Sequence, residues 1–248
     1  MHSFLAVTKN EFSKLLAKKK YIVFFIIQIL ICAVMVLIQL VLERVSDGVI
    51  RFGFISLSMS MLTFFISVYI PLMVFMAASD LFSSEFHDGS IRAALMRPVS
   101  RFKVFSAKIC AVMAMALVYL VSLFVVTVAL EVIFGGEARN FWHSFGAYLL
   151  DVFPLAIVVL MAAFINQLTK SPTLAMLLSI IIYLVLIIAG TFIPQLSGML
   201  FTGYAQWHSL FLGKALPVDA LISKIGLLLG YGVVFTSAGF LLFWKRDV

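Results

Sequence analysis

Metal binding and nucleotide chemistry need particular residues at particular spacings, and this chain does not arrange them that way. The four histidines are scattered without the spacing of metal ligands: His2, His87, His143 and His208. Cys32 and Cys110 both fall inside apolar runs, where we expect them to pack. The phosphate-binding pattern G-x-x-x-x-G-K-[S/T] does not occur. We therefore predict no catalytic residue, no metal site and no cofactor in this chain.

A segment with both acidic and basic residues spans 80–104, and the chemistry it suggests is charge-assisted binding. Gly89 permits a sharp reversal of the chain. A helix that begins after Gly89 must end at Pro98. We predict a short helix of about two turns there. Its apolar ridge would be formed by Ile91 and Leu95, with Arg92 and Arg97 on other faces. The helix would serve as a docking surface for a partner or rest on lipid headgroups.

Polar side chains at membrane depth are costly and are candidates for function. Gln28 and Gln39 lie on one stripe of a helix, together with Cys32 and Met35, which are four and seven residues after Gln28. We expect this stripe to face protein or water. It is either the wall of a pathway or, as we favour, a set of interhelical hydrogen bonds. Glu131 and Asp151 lie near span ends without a Lys or Arg at similar depth, so we expect solvated carboxylates at the membrane surface.

Composition places these residues in a polytopic membrane protein. The 248 residues are 64% hydrophobic and only 12% charged, with a mean hydropathy of +1.17. A helix of about 20 apolar residues crosses a bilayer. We predict an all-α membrane domain over residues 1–248 with six transmembrane helices. The predicted spans are about 21–42, 55–79, 106–130, 147–168, 172–193 and 225–244.

The excess of basic residues, a net charge of +7, indicates topology and not nucleic-acid binding. With both termini inside, thirteen of the eighteen Lys and Arg residues lie on the inner side and five on the outer side. We therefore expect both termini in the cytoplasm and the segment 80–104 on the cytoplasmic side.

Two further segments have distinctive patterns. Residues 1–20 are predicted to form an amphipathic elbow helix in the membrane interface, and the alternative is a plain positive anchor. Its apolar face would consist of Phe4, Leu5, Phe12, Leu15 and Leu16. Residues 195–222 are uncharged over most of their length and rich in aromatic residues, and we expect short re-entrant helices on the outer side before the last span.

The segment between the second and third spans resembles the corresponding loop of the permease subunits of bacterial type-2 ATP-binding-cassette (ABC) transporters. The residues that carry the resemblance are Glu85, Gly89, Ile91, Leu95, Arg97, Pro98, Ser100, Arg101 and Lys108. The number of spans, the elbow helix and the outer re-entrant segment are also similar to that family. The resemblance implies that 85–98 is a coupling helix inserted into a separate ATPase. The residues it assigns to coupling are Glu85, Gly89, Ile91, Arg92, Leu95, Arg97, Pro98 and Arg101.

The resemblance further implies a transport subunit in the bacterial cytoplasmic membrane. ATP and Mg would be bound by the partner ATPase, in two copies, and a second permease chain, identical or related, would complete the pathway. The apolar interior favours export of a peptide, antibiotic or other amphipathic substrate, with sodium ion as the alternative. An ATP-independent secondary transporter or a membrane scaffold is the alternative function, although we find neither an internal repeat nor midplane charges.

Overall fold

The computed structural model describes residues 2–45, 61–90, 100–133, 141–193, 195, 198–204, 206–208 and 218–245. Within these ranges the chain is helical and contains no strand. The described residues include eight α-helices with assigned bounds: α1 His2–Leu16, α2 Lys19–Val45, α3 Ile70–Leu81, α4 Ser83–His87, α5 Arg101–Ile133, α6 Phe141–Ile165, α7 Pro172–Phe192 and α8 Val218–Lys245.

The prediction of an all-α membrane protein with six spans is confirmed. Six helices are long and apolar enough to cross a bilayer: Lys19–Ile38, Met61–His87, Arg101–Leu130, Ser144–Ile165, Pro172–Phe192 and Lys224–Lys245. The helices of the second, third and fourth spans are the most buried, whereas those of the first, fifth and sixth have few fully buried residues. The core of the fold is therefore formed by α3, α5 and α6.

The second span contains a local change of helix type before α3. Residues 61–64 are α-helical, and Phe65–Tyr69 forms a π turn that leads into α3. Pro71 has no N–H to donate to the carbonyl of Ser67 four residues earlier. That carbonyl instead accepts the hydroxyl of Tyr183 on α7, at 3.0 Å. The irregular turn thus provides a hydrogen bond between two spans.

Helix α5 extends beyond the membrane. It has 33 residues and is about 50 Å long, while the hydrocarbon core is about 30 Å thick. The helix begins at Arg101, five residues before the predicted start of the third span at 106. Hydropathy predicts only the part of a helix inside the hydrocarbon, and the helix itself can extend beyond it. Its first two turns, which include Lys108, lie beside α1 and α4.

The break between α1 and α2 is one short turn. The N–H of Lys18 donates to the carbonyl of Leu15 at 3.1 Å, and the N–H of Tyr21 donates to that of Lys18 at 3.1 Å. Helix α1 packs mainly against α5. On its contact face Leu15 is buried, but so is the carboxylate residue Glu11, whereas Leu5 and Leu16 of the expected apolar face are exposed. The contact between α1 and the rest of the protein is therefore partly polar.

Candidate functional site

Four charged residues from three helices form a closed ring at the end of the bundle that carries α1 and α4. Glu11 and Lys14 belong to α1, Glu85 to α4 and Lys108 to α5. Lys108 Nζ donates to Glu11 Oε2 at 2.9 Å and to Glu85 Oε2 at 2.6 Å. Lys14 Nζ donates to Glu11 Oε1 at 2.7 Å and to Glu85 Oε1 at 2.8 Å. Each carboxylate thus uses one oxygen for each lysine, and the charge ring is neutral.

Burial differs around the charge ring. The side chain of Lys108 is fully buried, those of Glu11 and Glu85 are 3% and 11% exposed, and that of Lys14 is 40% exposed. An ammonium group away from water needs anionic partners with good hydrogen-bond geometry. Lys108 obtains them only when α1 and α4 both lie against α5. The burial of one lysine therefore requires three helices to be in place.

The pKa directions of the α1 residues agree with this geometry. Burial alone would raise the pKa of Glu11, but the charges of Lys108 and Lys14 outweigh it, and the pKa lies below its ordinary value. Burial alone would lower the pKa of Lys14, but its hydrogen bonds to Glu11 and Glu85 outweigh burial and raise it. Both groups are therefore held in their charged forms at neutral pH.

A second carboxylate fastens the end of α3 to the turn between α1 and α2. Asp80 accepts the hydroxyl of Tyr21 at 2.6 Å and pairs with Lys20 at 2.7 Å and Lys18 at 3.1 Å. These three partners are close in sequence, so Asp80 fixes the position at which α2 enters the membrane. The lysines that sequence analysis treats as a topology signal also make specific contacts.

On its other side the segment is fastened to the turn between α6 and α7. Ser83 Oγ donates to the carbonyl of Asn166, and its distance to Asn166 Oδ1 is also 3.0 Å. Ser79 Oγ donates to the carbonyl of Pro172 at 2.6 Å. Residues 79–85, which we call the anchored segment, are thus bonded to α1, to α5 and to the α6–α7 turn.

The chain leaves the anchored segment through Gly89. Its φ is +68°, a conformation that side chains rarely adopt, and a Cβ placed there would meet no atom within 4 Å. Glycine is therefore needed for its backbone conformation and not for space. The coupling helix predicted beyond it, with Ile91, Arg92 and Leu95, lies outside the described residues.

The remaining predicted coupling residues have different positions. Arg97 and Pro98 also lie outside the described residues, while Arg101 is exposed at the start of α5. Its guanidinium donates to the carbonyl of Trp244 at 2.8 Å, near the C-terminal end of α8, where basic groups are favourable. Glu85 lies in the charge ring with both oxygens occupied. Coupling to an ATPase stays a prediction for all these residues.

The first-span glutamine Gln28 is buried and faces α5. Its Nε2 donates to the carbonyl of Tyr119 and to Ser122 Oγ, both at 3.0 Å. These are interhelical hydrogen bonds, although its Oε1 has no partner among the described residues. Gln39 is on the same helix, but its side chain lies outside the described part. The choice between a pathway wall and an interface stays open for this stripe.

The expectation for Asp151 is wrong. Its carboxylate is fully buried and bonded to His208, whose N–H donates to Oδ1 at 2.9 Å and whose Nδ1 lies 2.6 Å from Oδ2. The Nε2 of the same ring is 2.7 Å from Thr63 Oγ1. The segment before α8 supplies the partner. Its residues Phe201, Trp207 and His208 are buried. Thr202 Oγ1 donates to the carbonyl of Leu186, well inside the end of α7. Glu131 lies in α5 with its side chain outside the described part.

Sequence reasoning also missed Glu11, Lys14 and Lys108 as a group. Glu11 and Lys14 are spaced i, i+3, which is the usual spacing of a helix ion pair. Their other partners are distant along the chain: Glu85 is 71 residues from Lys14, and Lys108 is 97 residues from Glu11. A lone acid on the face of an otherwise basic and amphipathic helix was the available signal. Among the described residues, no group of three His, Cys, Asp or Glu could hold a metal ion.

Comparison with known protein families adds an independent finding. A family model described as ABC-2 family transporter protein matches residues 7–190. The match begins within α1 and ends near the end of α7, so it includes every residue of the charge ring. No curated protein matches the chain.

Replacement of Lys108 should test the charge ring. Lys108→Ala leaves two buried carboxylates that share the single ammonium of Lys14, and we expect a loss of about 3–5 kcal/mol of stability. Lys103→Ala is the matched control, because Lys103 is exposed on the same helix and its replacement should change stability by about 0.5 kcal/mol or less. Thermal unfolding midpoints in detergent measure both. Equal midpoints for the two variants would contradict a stabilising ring.

Proposed function

We propose a function from the premise that the chain belongs to the ABC-2 family of transporter proteins and is a multi-pass membrane subunit of an ABC transporter. Transport through this subunit is driven by ATP hydrolysis in a separate ATPase that docks on residues 85–98. The family is the membrane component of such transporters and partners with an ABC ATPase. ATP and Mg would then be bound by that partner. This chain would contribute the pathway and the docking surface.

The observation that carries the proposal is the way the chain is fastened immediately before the proposed docking loop. The anchored segment is bonded to α1, α5 and the α6–α7 turn, and Gly89 directs the chain away from it. A displacement of the loop by the ATPase would therefore move three elements together. Glu85 would act in coupling at the start of the docking loop, by positioning the loop through the charge ring.

We place both termini, α1 and the docking loop on the cytoplasmic side of the bacterial cell membrane, with α1 as an elbow helix in the interface. Exposed Leu5 and Leu16 on α1 support contact with lipid, and exposed Lys9 supports contact with headgroups. In this orientation the charge ring lies near the cytoplasmic membrane surface, where a docked ATPase can act on it.

We further propose that two such chains, identical or related, assemble with two ATPase subunits. Six helices are few to surround a bulky substrate, and within the described residues α5, α6 and α7 pack directly against α3. Helices α2, α7 and α8 leave apolar surface outside the bundle that a second chain can cover in part. The mass of the purified complex, measured in native conditions, should correspond to two permease chains and two ATPases. An active complex with one permease chain would contradict this stoichiometry.

The substrate we propose is a peptide, an antibiotic or another amphipathic molecule, exported from the cell. Among the described residues of the six spans, most charged side chains are already paired with another charged or polar group. A highly charged solute would therefore find few groups to replace its hydration shell. Cells that express the chain with its ATPase should survive higher concentrations of at least one member of a panel of membrane-active peptides. Equal survival across the panel, with sodium efflux raised instead, would favour the ion.

The docking surface can be tested by the double substitution Ile91→Ser and Leu95→Ser. Loss of an apolar anchor at the centre of an interface costs about 2 kcal/mol or more, so we expect recovery of the co-purified ATPase to fall at least about tenfold. Insertion and thermal stability should be unchanged, since the residues lie outside the predicted spans. Substrate-stimulated ATP hydrolysis should fall in parallel.

Leu168→Ser is the matched control for that experiment. Leu168 is 51% exposed in the α6–α7 turn, outside the proposed docking loop, and its replacement should leave ATPase recovery unchanged. Normal ATPase recovery with the Ile91 and Leu95 variant would contradict the docking assignment. A wild-type chain that retains no ATPase but still transports would instead favour a secondary transporter.

A further inference from the structure

An apolar groove lies where the elbow helix, the first span and the third span meet. Its volume is about 130 Å³, enough for a few methylene groups. The residues that line it are Leu16, Tyr21, Ile22, Phe25, Met115, Val118 and Tyr119. Ile22 and Val118 are 56% and 42% exposed, so the groove opens toward the surroundings of the bundle and not into its core. In a membrane those surroundings are lipid chains.

The floor of the groove is held by hydrogen bonds between the same helices. Tyr119 Oη on α5 donates to the carbonyl of Tyr21 at 2.6 Å, and Tyr21 Oη donates to Asp80. Both tyrosines have their polar atoms occupied within the protein. The surface that they present to the groove is therefore the apolar face of the ring, and the groove is a built feature of the fold.

Lys19, which has no ion-pair partner among the described residues, lies about one helical turn before the groove residue Ile22. Lys19 is exposed and lies three residues before Ile22, so both are on one face of α2. Its neighbours Lys18 and Lys20 are paired with Asp80. Among the described residues, no carboxylate lies within ion-pair distance of Lys19. Its charge is therefore available to an anion that approaches from the membrane.

We propose that this groove binds an anionic phospholipid of the leaflet on the side of the termini. One acyl chain occupies the groove, and Lys19 pairs with the phosphate of the headgroup. Along α2, Lys19 precedes the groove, and in a phospholipid the phosphate likewise precedes the upper part of the acyl chain. A basic residue at the surface of an anionic membrane contributes about 1 kcal/mol, which corresponds to about a fivefold change in affinity.

A second apolar groove shows why the charge matters. It lies between α5 and α6, has a volume of about 150 Å³, and is lined by Leu117, Leu120, Val121, Phe124, Phe145, Tyr148, Leu149 and Val152. The segments of α5 and α6 that form it, residues 117–133 and 141–165, contain no Lys or Arg. We expect this groove to accept acyl chains without selecting a headgroup.

The proposal is tested by counting bound lipids on the purified chain by native mass spectrometry. The protein in detergent is titrated with phosphatidylglycerol and, separately, with phosphatidylcholine. We expect wild type to retain one phosphatidylglycerol in preference to phosphatidylcholine. Lys19→Gln should remove about fivefold of that preference. Val118→Phe, which fills the groove, should weaken the binding of both lipids at this site.

Two control variants match these substitutions. Lys103→Gln removes an exposed lysine at the start of α5, and Val125→Phe enlarges an exposed valine that does not line the groove. Both should retain phosphatidylglycerol as wild type does. Unchanged lipid preference in Lys19→Gln, or equal losses in Lys19→Gln and Lys103→Gln, would overturn the proposal. The measurement requires no ATPase, so its outcome is independent of the docking assignment.

Discussion

The burial of the Lys108 ammonium is the constraint on which the arrangement of this end of the molecule depends. An ion in a medium of low dielectric must be neutralised and fully hydrogen-bonded. The protein satisfies Lys108 with two carboxylates from different helices and satisfies the second oxygen of each carboxylate with Lys14. Removal of any member leaves an unpaired charge near the core. Helix α1, the start of the third span and the end of the second are therefore positioned together.

The number and order of the spans were predictable because hydropathy is a local property of the sequence. The hydropathy of a run such as Tyr21–Leu42 is enough to predict a span, whatever the rest of the chain contains. The charge ring was not predictable in this way, since Glu11 and Lys108 are 97 residues apart. The helical wheel of α1 directed Leu15 toward the membrane interface, whereas the structure buries Leu15 together with Glu11 within the protein.

The same reasoning explains the position of Asp151. Its sequence neighbourhood contains no basic residue, and a solvated carboxylate near a span end was the reasonable inference. The actual partner is His208, from a segment in which Thr202 Oγ1 donates to the carbonyl of Leu186. The aromatic re-entrant helices expected in 195–222 stay a prediction, and that prediction did not identify which polar residue the segment brings to α6. The distribution of exposed surface follows similarly from packing, with α2, α7 and α8 at the periphery of the core.

The pairing of Asp151 with His208 has a consequence for biosynthesis. The two residues are 57 positions apart, and Asp151 is translated first. At about 5–20 residues per second, several seconds separate their synthesis. During that interval α6 enters the membrane with a carboxyl group that lacks its final partner; an acidic residue at the centre of a span carries an insertion penalty of about 2.5–3.5 kcal/mol, and Asp151, the eighth residue of the span Ser144–Ile165, carries less. The apolar residues around Asp151 must supply enough hydrophobicity to hold α6 in place until the segment before α8 arrives.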